Sequence, residues 1–291
     1  MFAGHRLLAP VLALVLALPL VACGPSVTGD DDDTPDARTD AAATDGPTTD
    51  GDEVLPSRVY AHSGTMLYRI ETSTMAAVPI GAFTNLGTQT MTDIAVDRNE
   101  RMVGVTLDRI FEIDVATGSS TFLADFTGSD NLTSLSFVPV NIADPDGPEM
   151  LVAATDSGNV LRIDVSGQTA TATVIGDYGQ HQGMDIISSG DIVYVKDFGI
   201  VATVDVGNGN DFLATINPAT WAASVIGTGT AYDKIFGVAF WAGTIYGFVD
   251  GGPGAGSIIR LDRQTGAATL VASGSIRWYG AGVTTVAPTI D

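Results

Sequence analysis

Four aspartates follow short apolar segments at similar places along the chain, and they are the first candidates for chemistry. Each ends a run of residues that reads as a β-strand: Asp108, Asp156, Asp197 and Asp250. Ca²⁺ takes about six to eight oxygen ligands, so carboxylates from several strands could hold it together. Asp is also a common turn residue, because its side chain bonds to nearby backbone amides. The sequence leaves both roles open, and we favour the structural one.

A second group of polar and aromatic residues lies in loops that enter or leave predicted strands. It consists of His62, Asp93, His181, Asp185 and Trp278. A histidine beside carboxylates could act as a general base. Trp278 could stack on a sugar or peptide, but we favour a role as an aromatic that plugs the channel. The chain has no G-x-S-x-G elbow, no H-E-x-x-H helix motif and no phosphate-binding loop. We therefore interpret these residues as lining a ligand surface and do not favour catalysis.

The elements that would position these residues repeat along the chain. Two apolar residues, a variable residue, an aliphatic residue and then Asp, Glu or Asn recur five times, at 67–71, 110–114, 160–164, 213–217 and 258–262. A turn and a further short strand follow each copy, and two more strands lie between copies. Four strands in a repeat of about 48 residues are typical of a β-propeller blade. No long segment has helical apolar spacing, so the chain is predicted to be all-β.

The repeat resembles the blades of NHL and SMP-30-like propellers over residues 58–288. Inner strands are expected near Ile94, Leu135, Ile186, Val238 and Val283. The last of these has no partner strands after it, and the first repeat has no inner strand before it. We therefore predict a five-bladed β-propeller closed by the N- and C-terminal strands, which leaves no open sheet edge. A six-bladed propeller and a β-sandwich are the alternatives.

The N-terminus carries an export signal. Arg6 precedes an apolar run of 16 residues, Leu7 to Ala22, which is short for a spanning helix of about 20 residues and suits a signal peptide. The segment Leu20-Val21-Ala22-Cys23 contains the only cysteine and resembles the lipobox of bacterial lipoproteins. The resemblance implies that residues 1–22 are removed and that Cys23 is lipidated, which would anchor the chain to a membrane.

Charge separates a tether from a domain. Residues 24–53 hold 10 acidic residues and one arginine, with too little apolar surface to form a core. We predict that the lipidated Cys23 and a disordered acidic tether occupy 23–53 and that the propeller domain occupies 54–291. The whole chain has 34 Asp and Glu against 13 Lys and Arg, a formal charge of −21 at pH 7, which argues against a nucleic-acid partner.

These features predict a lipoprotein of a bacterial cell envelope, with the outer membrane favoured and the domain in the periplasm or at the cell surface. We expect a monomeric binding module for a protein, peptide or glycan, with Ca²⁺ as the one candidate cofactor. The alternative is a metal-dependent hydrolase or lactonase, which the SMP-30-like resemblance implies. That family holds its metal with Glu, Asn and Asp from separate blades, and this chain offers only Asp at such positions.

Overall fold

The structure is a computed structural model, and it describes residues 58–126, 131–207 and 209–290. These residues form strands, turns and loops, with no α-helix among them, so the all-β prediction is confirmed. In these ranges there is accordingly no helix of the length and apolarity that a membrane span requires. The predictions for the signal peptide, for Cys23 and for the tether lie outside the described residues.

The described residues form strands that we number in chain order. They are β1 (Val59–His62), β2 (Met66–Glu71), β3 (Ala76–Ala82), β4 (Asp93–Val96), β5 (Met102–Val105), β6 (Arg109–Ile113), β7 (Ser120–Phe126), β8 (Ser136–Pro139), β9 (Glu149–Ala154), β10 (Asn159–Ser166), β11 (Thr169–Asp177), β12 (Gln180–His181), β13 (Met184–Val195), β14 (Gly199–Val206), β15 (Phe212–Ile216), β16 (Ala223–Ile226), β17 (Ile235–Trp241), β18 (Thr244–Asp250), β19 (Gly256–Leu261), β20 (Ala268–Gly274) and β21 (Gly280–Val283).

Within the described ranges, the strands pair as five antiparallel meanders of four strands. In order of first strand they are β21-β1-β2-β3, β4-β5-β6-β7, β8-β9-β10-β11, β13-β14-β15-β16 and β17-β18-β19-β20, and we call them meanders 1 to 5. The short strand β12 pairs with the beginning of β13. Meanders 2 and 3 share one eight-stranded sheet, because Asp125 and Phe126 of β7 pair in parallel with Thr169 and Ala170 of β11.

The two ends of the domain meet in meander 1. Strand β21 pairs antiparallel with β1, from Val59 opposite Val283 to His62 opposite Gly280, which is the pairing predicted from the incomplete first and last repeats. The first strands β21, β4, β8, β13 and β17 contact one another in this cyclic order. Strands β21, β4 and β8 are buried along their whole length, as expected of strands that are covered on both faces.

Two edges of this arrangement matter for the site. The first strands begin at one edge, which we call the entry edge, and the turns between second and third strands lie there too. The first strands end at the opposite edge, which we call the exit edge. The turns between first and second strands lie at this exit edge. The parallel bridge between Val96 at the end of β4 and Thr284 after β21 shows that these two first strands share a direction.

Meander 4 differs from the prediction. An inner strand near Ile186 and a second strand ending at Asp197 were expected, but β13 runs through both segments with a register shift between Ser188 and Ile192. Its second half, which includes Ile192, lies among the first strands, and β14 is the second strand. Asp197 is therefore in the turn between first and second strands, at the exit edge. The shift lies at a tight passage, because a Cβ on Gly190 would meet the Ile235 carbonyl oxygen at 1.9 Å.

Closure of meander 1 predicts that Gly280 tolerates no side chain. A Cβ there would lie 2.4 Å from both the Asp93 Oδ1 and the His62 Nε2 atoms. Gly280→Ala should therefore lower the free energy of unfolding by about 1–3 kcal/mol, as expected of an overpacked core. Gly274→Ala at the end of β20, where a Cβ would meet nothing within 4 Å, is the matched control in urea unfolding. Equal stability of the two variants would contradict the close approach.

Candidate functional site

Two carboxyl groups lie at the entry edge, beside the axis that the first strands surround. Asp93 begins β4 and is 0% exposed, and Asp191 precedes the inner half of β13 and is 1% exposed. Asp93 Oδ2 accepts the backbone N–H of Leu135 at 2.6 Å, and Asp191 Oδ2 accepts that of Val238 at 2.9 Å. Asp93 Oδ1 also accepts the N–H of Ile94 at 2.9 Å. Each carboxyl therefore links its own meander to another one.

The electrostatics of this pair favour a neutral form. Burial raises the pKa of Asp191 well above its usual value, and burial together with the nearby Asp191 carboxylate raises the pKa of Asp93. The backbone amides oppose these shifts only in part. Two buried carboxylates repel each other strongly, so burial and repulsion both favour a form of the pair that shares a proton.

His62 lies next to Asp93 but cannot act as an open base. It is 0% exposed, and its Nδ1 lies 2.9 Å from the Ser63 carbonyl oxygen, so Nδ1 donates and Nε2 has no hydrogen. Burial lowers the pKa of His62 to about 4. Nε2 has no hydrogen-bond partner within the described residues. The imidazole is therefore neutral and enclosed in the core.

The axis itself is nearly filled. The cavity between the first strands has a volume of about 10 Å³ and is lined by Ile94, Leu135, Asp191, Val238 and Ala281, among others. Such a volume holds about one water molecule. A substrate cannot reach the Asp93 and Asp191 carboxyls by this route, so we assign them a structural role.

A third buried aspartate has the same role at β17. Asp211, 1% exposed, accepts the backbone N–H of Ile235 at 2.7 Å through Oδ2. Burial raises the pKa of Asp211 to about 6, and the nearby Asp233 and Asp205 carboxylates add to this shift. Backbone N–H groups of the first strands are thus repeatedly bonded to buried carboxyl oxygens, because these N–H groups cannot reach water.

The remaining residues predicted for the ligand surface are dispersed. Trp278 is 3% exposed and packs edge-on against two rings, with its ring centre 5.6 Å from that of Tyr68 and 5.4 Å from that of Phe248. Trp278 is therefore a core residue and not part of an open surface. His181 is half-buried in β12. Asp185 is exposed and accepts a hydrogen bond from Gln180 Nε2 at 2.7 Å.

The four aspartates at predicted strand ends do not converge either. Asp108 accepts from Gln89 Nε2 at 2.6 Å, and Asp156 accepts from Asn131 Nδ2 at 2.8 Å. Asp197 lies at the opposite edge with a positive φ of 63°. Among residues 58–126, 131–207 and 209–290, no three His, Cys, Asp or Glu side chains form a group that could hold a metal ion. The predicted calcium site has no ligand set in this part of the chain and stays a prediction.

The fourth of these aspartates, Asp250, holds an arginine at the entry edge. Its side chain is 2% exposed, and it forms a two-pronged ion pair with Arg277, at 2.8 Å from Nε to Oδ1 and 2.9 Å from Nη2 to Oδ2. Burial alone would raise the pKa of Asp250, but hydrogen bonds from Arg277 and the Gly252 amide lower it. The guanidinium carbon lies 5.0 Å from the centre of the Tyr279 ring. Arg277 and Tyr279 therefore form a fixed, partly exposed surface, which we call the Arg–Tyr surface.

Asp191 and Arg277 are the residues that the sequence analysis missed. Asp191 carries no distinguishing signal, because the Asp-Ile pairs at 185–186 and at 191–192 both repeat the pair at 93–94, where a first strand begins. Arg277 carries no signal either, since its partner Asp250 is 27 residues away in sequence.

Comparisons with known proteins add only distant likenesses. No family model matches the chain, and no curated protein matches it. A protein of unknown function from Bacteroides caccae is 10% identical, covering 75% of this chain and 72% of its own, with a TM-score of 0.40. A protein from Lactobacillus plantarum is 12% identical, with 77% and 70% covered and a TM-score of 0.37. A β-propeller domain from Myceliophteria thermophila is 10% identical, with 75% and 65% covered and a TM-score of 0.40. None of these likenesses identifies a function.

The Asp93 and Asp191 pair predicts a pH-dependent stability. Raised pKa values mean that the folded state binds more protons than the unfolded state, so the pair's contribution is present at low pH and is lost as the pH rises. Asp191→Asn keeps an oxygen for the Val238 amide and cannot ionise. We expect its free energy of unfolding in urea to rise relative to wild type as the pH increases above about 4, the ordinary pKa of Asp.

Two controls accompany this measurement. The lowered pKa of His62, about 4, makes stability fall as the pH drops from about 6.5 towards 4, but wild type and variant share this effect. Asp156→Asn, the same substitution at an exposed side chain, is the matched control. If the curve of Asp191→Asn runs parallel to that of wild type, the pair does not share a proton.

Proposed function

We propose that the chain is an exported bacterial lipoprotein, anchored through Cys23 to a membrane of the cell envelope, for which we favour the outer membrane. Its five meanders are the blades of a five-bladed propeller that strands from both ends close. The domain over residues 54–291 acts as a monomeric binding module for a protein, peptide or glycan.

One observation carries the choice of binding over catalysis. The groups with the residue types of a reactive site, His62, Asp93 and Asp191, are sealed from solvent. The exposed aspartates are held apart at separate turns. What lies open at the entry edge is the Arg–Tyr surface, and Arg and Tyr are residue types that carry much of the affinity at binding interfaces.

The Arg–Tyr surface is also preorganised. The buried Asp250 carboxylate holds two nitrogens of Arg277, and the Tyr279 ring supports the guanidinium from below. The Arg277 side chain remains 42% exposed, so donors are left for a partner. Binding a partner therefore costs little further side-chain entropy, because Arg277 and Tyr279 are already ordered.

The hydrolase or lactonase alternative has no comparable support, since no metal-ligand group occurs in the described residues.

Lipidation is tested on the full chain produced in bacteria that are fed radioactive palmitate. Wild type should carry the label, and its mature N-terminus should be a modified Cys23. Cys23→Ser should carry none, while Ser26→Ala, a nearby substitution, should label like wild type. A mature chain with an unmodified Cys23 would exclude the anchor.

Binding is tested by presenting the mature chain to a peptide display library and to a glycan array. Ligands retained by wild type should be lost by Tyr279→Leu and weakened about tenfold by Arg277→Lys, because lysine cannot form the two-pronged contact. Arg162→Lys, which alters an exposed arginine paired with Asp164, should retain them. Turnover of lactones or esters that a chelator abolishes would instead favour the hydrolase.

A further inference from the structure

The exit edge holds a polar cleft that the proposed function does not use. The loop between β8 and β9, residues 140–148, folds over this edge and includes the acid-rich segment 144–149. Two neighbouring meanders hold it in place. Lys196 Nζ donates to the Asp146 carboxylate at 2.7 and 2.9 Å, and Arg98 Nη2 donates to the Pro145 carbonyl oxygen at 3.0 Å.

Glu149 supports the cleft from below. Its side chain is 8% exposed, and its Oε2 accepts the backbone N–H of Arg98 at 3.2 Å and lies 3.4 Å from Arg98 Nε. Its Oε1 accepts the hydroxyl hydrogen of Thr285 at 2.5 Å. Residues from meanders 1, 2 and 3 therefore converge on one buried carboxylate, and the arginine beside the cleft is fixed in position.

The lining of the cleft combines hydrogen-bond donors and acceptors. The volume is about 490 Å³, and the lining residues are Asp97, Arg98, Asn99, Arg101, Phe137 and the segment 146–149. Arg, Asn and Asp side chains present planar polar groups, and Phe137, which is 7% exposed, adds a small apolar surface. Hydroxyl groups both donate and accept hydrogen bonds, so a polyhydroxylated ligand suits the exposed side chains of the lining, Asn99, Arg101 and Asp146.

The charges in the cleft are largely paired with one another. Arg98 pairs with Glu149, Lys196 with Asp146, and Arg101 with Glu112 outside the cleft. An anionic ligand would meet the Asp97, Asp146 and Glu149 carboxylates, and a cationic ligand would meet Arg98 and Arg101. The cleft therefore suits a neutral polar ligand better than an ion.

We propose that this cleft binds a neutral sugar. The ring hydroxyls would bond to Asn99, Arg101 and Asp146, and an apolar ring face would contact Phe137. The site is independent of the Arg–Tyr surface, because it lies at the opposite edge. Either proposal can fail without the other.

The test is saturation-transfer NMR on the mature full chain in detergent. The probes are glucose, galactose, mannose and N-acetylglucosamine, with glucuronate, glucosamine and triglycine as charged and peptide competitors. At least one neutral sugar should bind with a Kd of about 1–10 mM, as expected of a ligand of this size. The proposal is overturned if no neutral sugar binds, or if a charged sugar or triglycine binds more tightly than all of them.

Matched asparagine variants locate the site. Asn99→Ala removes a lining amide and should weaken sugar binding about 3- to 10-fold, the range for one hydrogen bond. Asn131→Ala makes the same change at the entry edge and should leave binding unchanged. Lys196→Met releases the loop without altering the lining residues and should also weaken binding. Thermal midpoints verify folding, and equal effects of Asn99→Ala and Asn131→Ala in folded proteins would place the sugar elsewhere.

Discussion

The structure depends on how the first strands of the meanders satisfy their backbone amides around a filled axis. These strands are buried on both faces, so an N–H group at their start has no access to water, and leaving it unpaired would cost about 1–3 kcal/mol. Asp93 and Asp211 each place a carboxyl oxygen on such an amide, and Asp191 does the same for the Val238 amide inside β17. The same side chains therefore cap strands and hold meanders together. Because carboxylates cannot stay charged in this environment without a cation, part of this capping depends on protonation.

Because side chains fill the axis, a ligand can bind only at the edges. With room for about one water between the first strands, the surfaces open to a partner are formed by turns and loops, which a rigid framework positions. Each edge carries one such surface, formed by different residues. At the entry edge a buried Asp250 fixes Arg277 against Tyr279, and at the exit edge a buried Glu149 fixes Arg98 beneath a long loop. In both, a carboxylate that is itself shielded from water orients an arginine that remains partly exposed.

The errors of the sequence analysis have one physical origin in meander 4. An inner strand is predicted near Ile186 because the segment is apolar and follows a turn, and the same pattern makes Asp197 the end of a second strand. The chain instead continues through Ser188 with a register shift, and the inner strand starts at Asp191. Local alternation of residues cannot reveal such a shift, because both halves of β13 have the composition of a strand. Burial of an aromatic ring such as that of Trp278 is likewise decided by neighbours distant in sequence.

The sequence alone determined the strand-rich class, the repeat and the pairing of both ends of the domain, because these follow from periodicity, turn residues and the need to leave no strand edge open. Only the tertiary structure decided which polar groups face the axis and which face solvent. His62 and Asp93 looked like members of an open site, yet they are buried, while Arg277 and the loop at 140–148 became candidate binding elements through ion pairs between distant segments. Hydrogen bonds and ion pairs of this kind depend on three-dimensional proximity, which residue type and spacing do not encode.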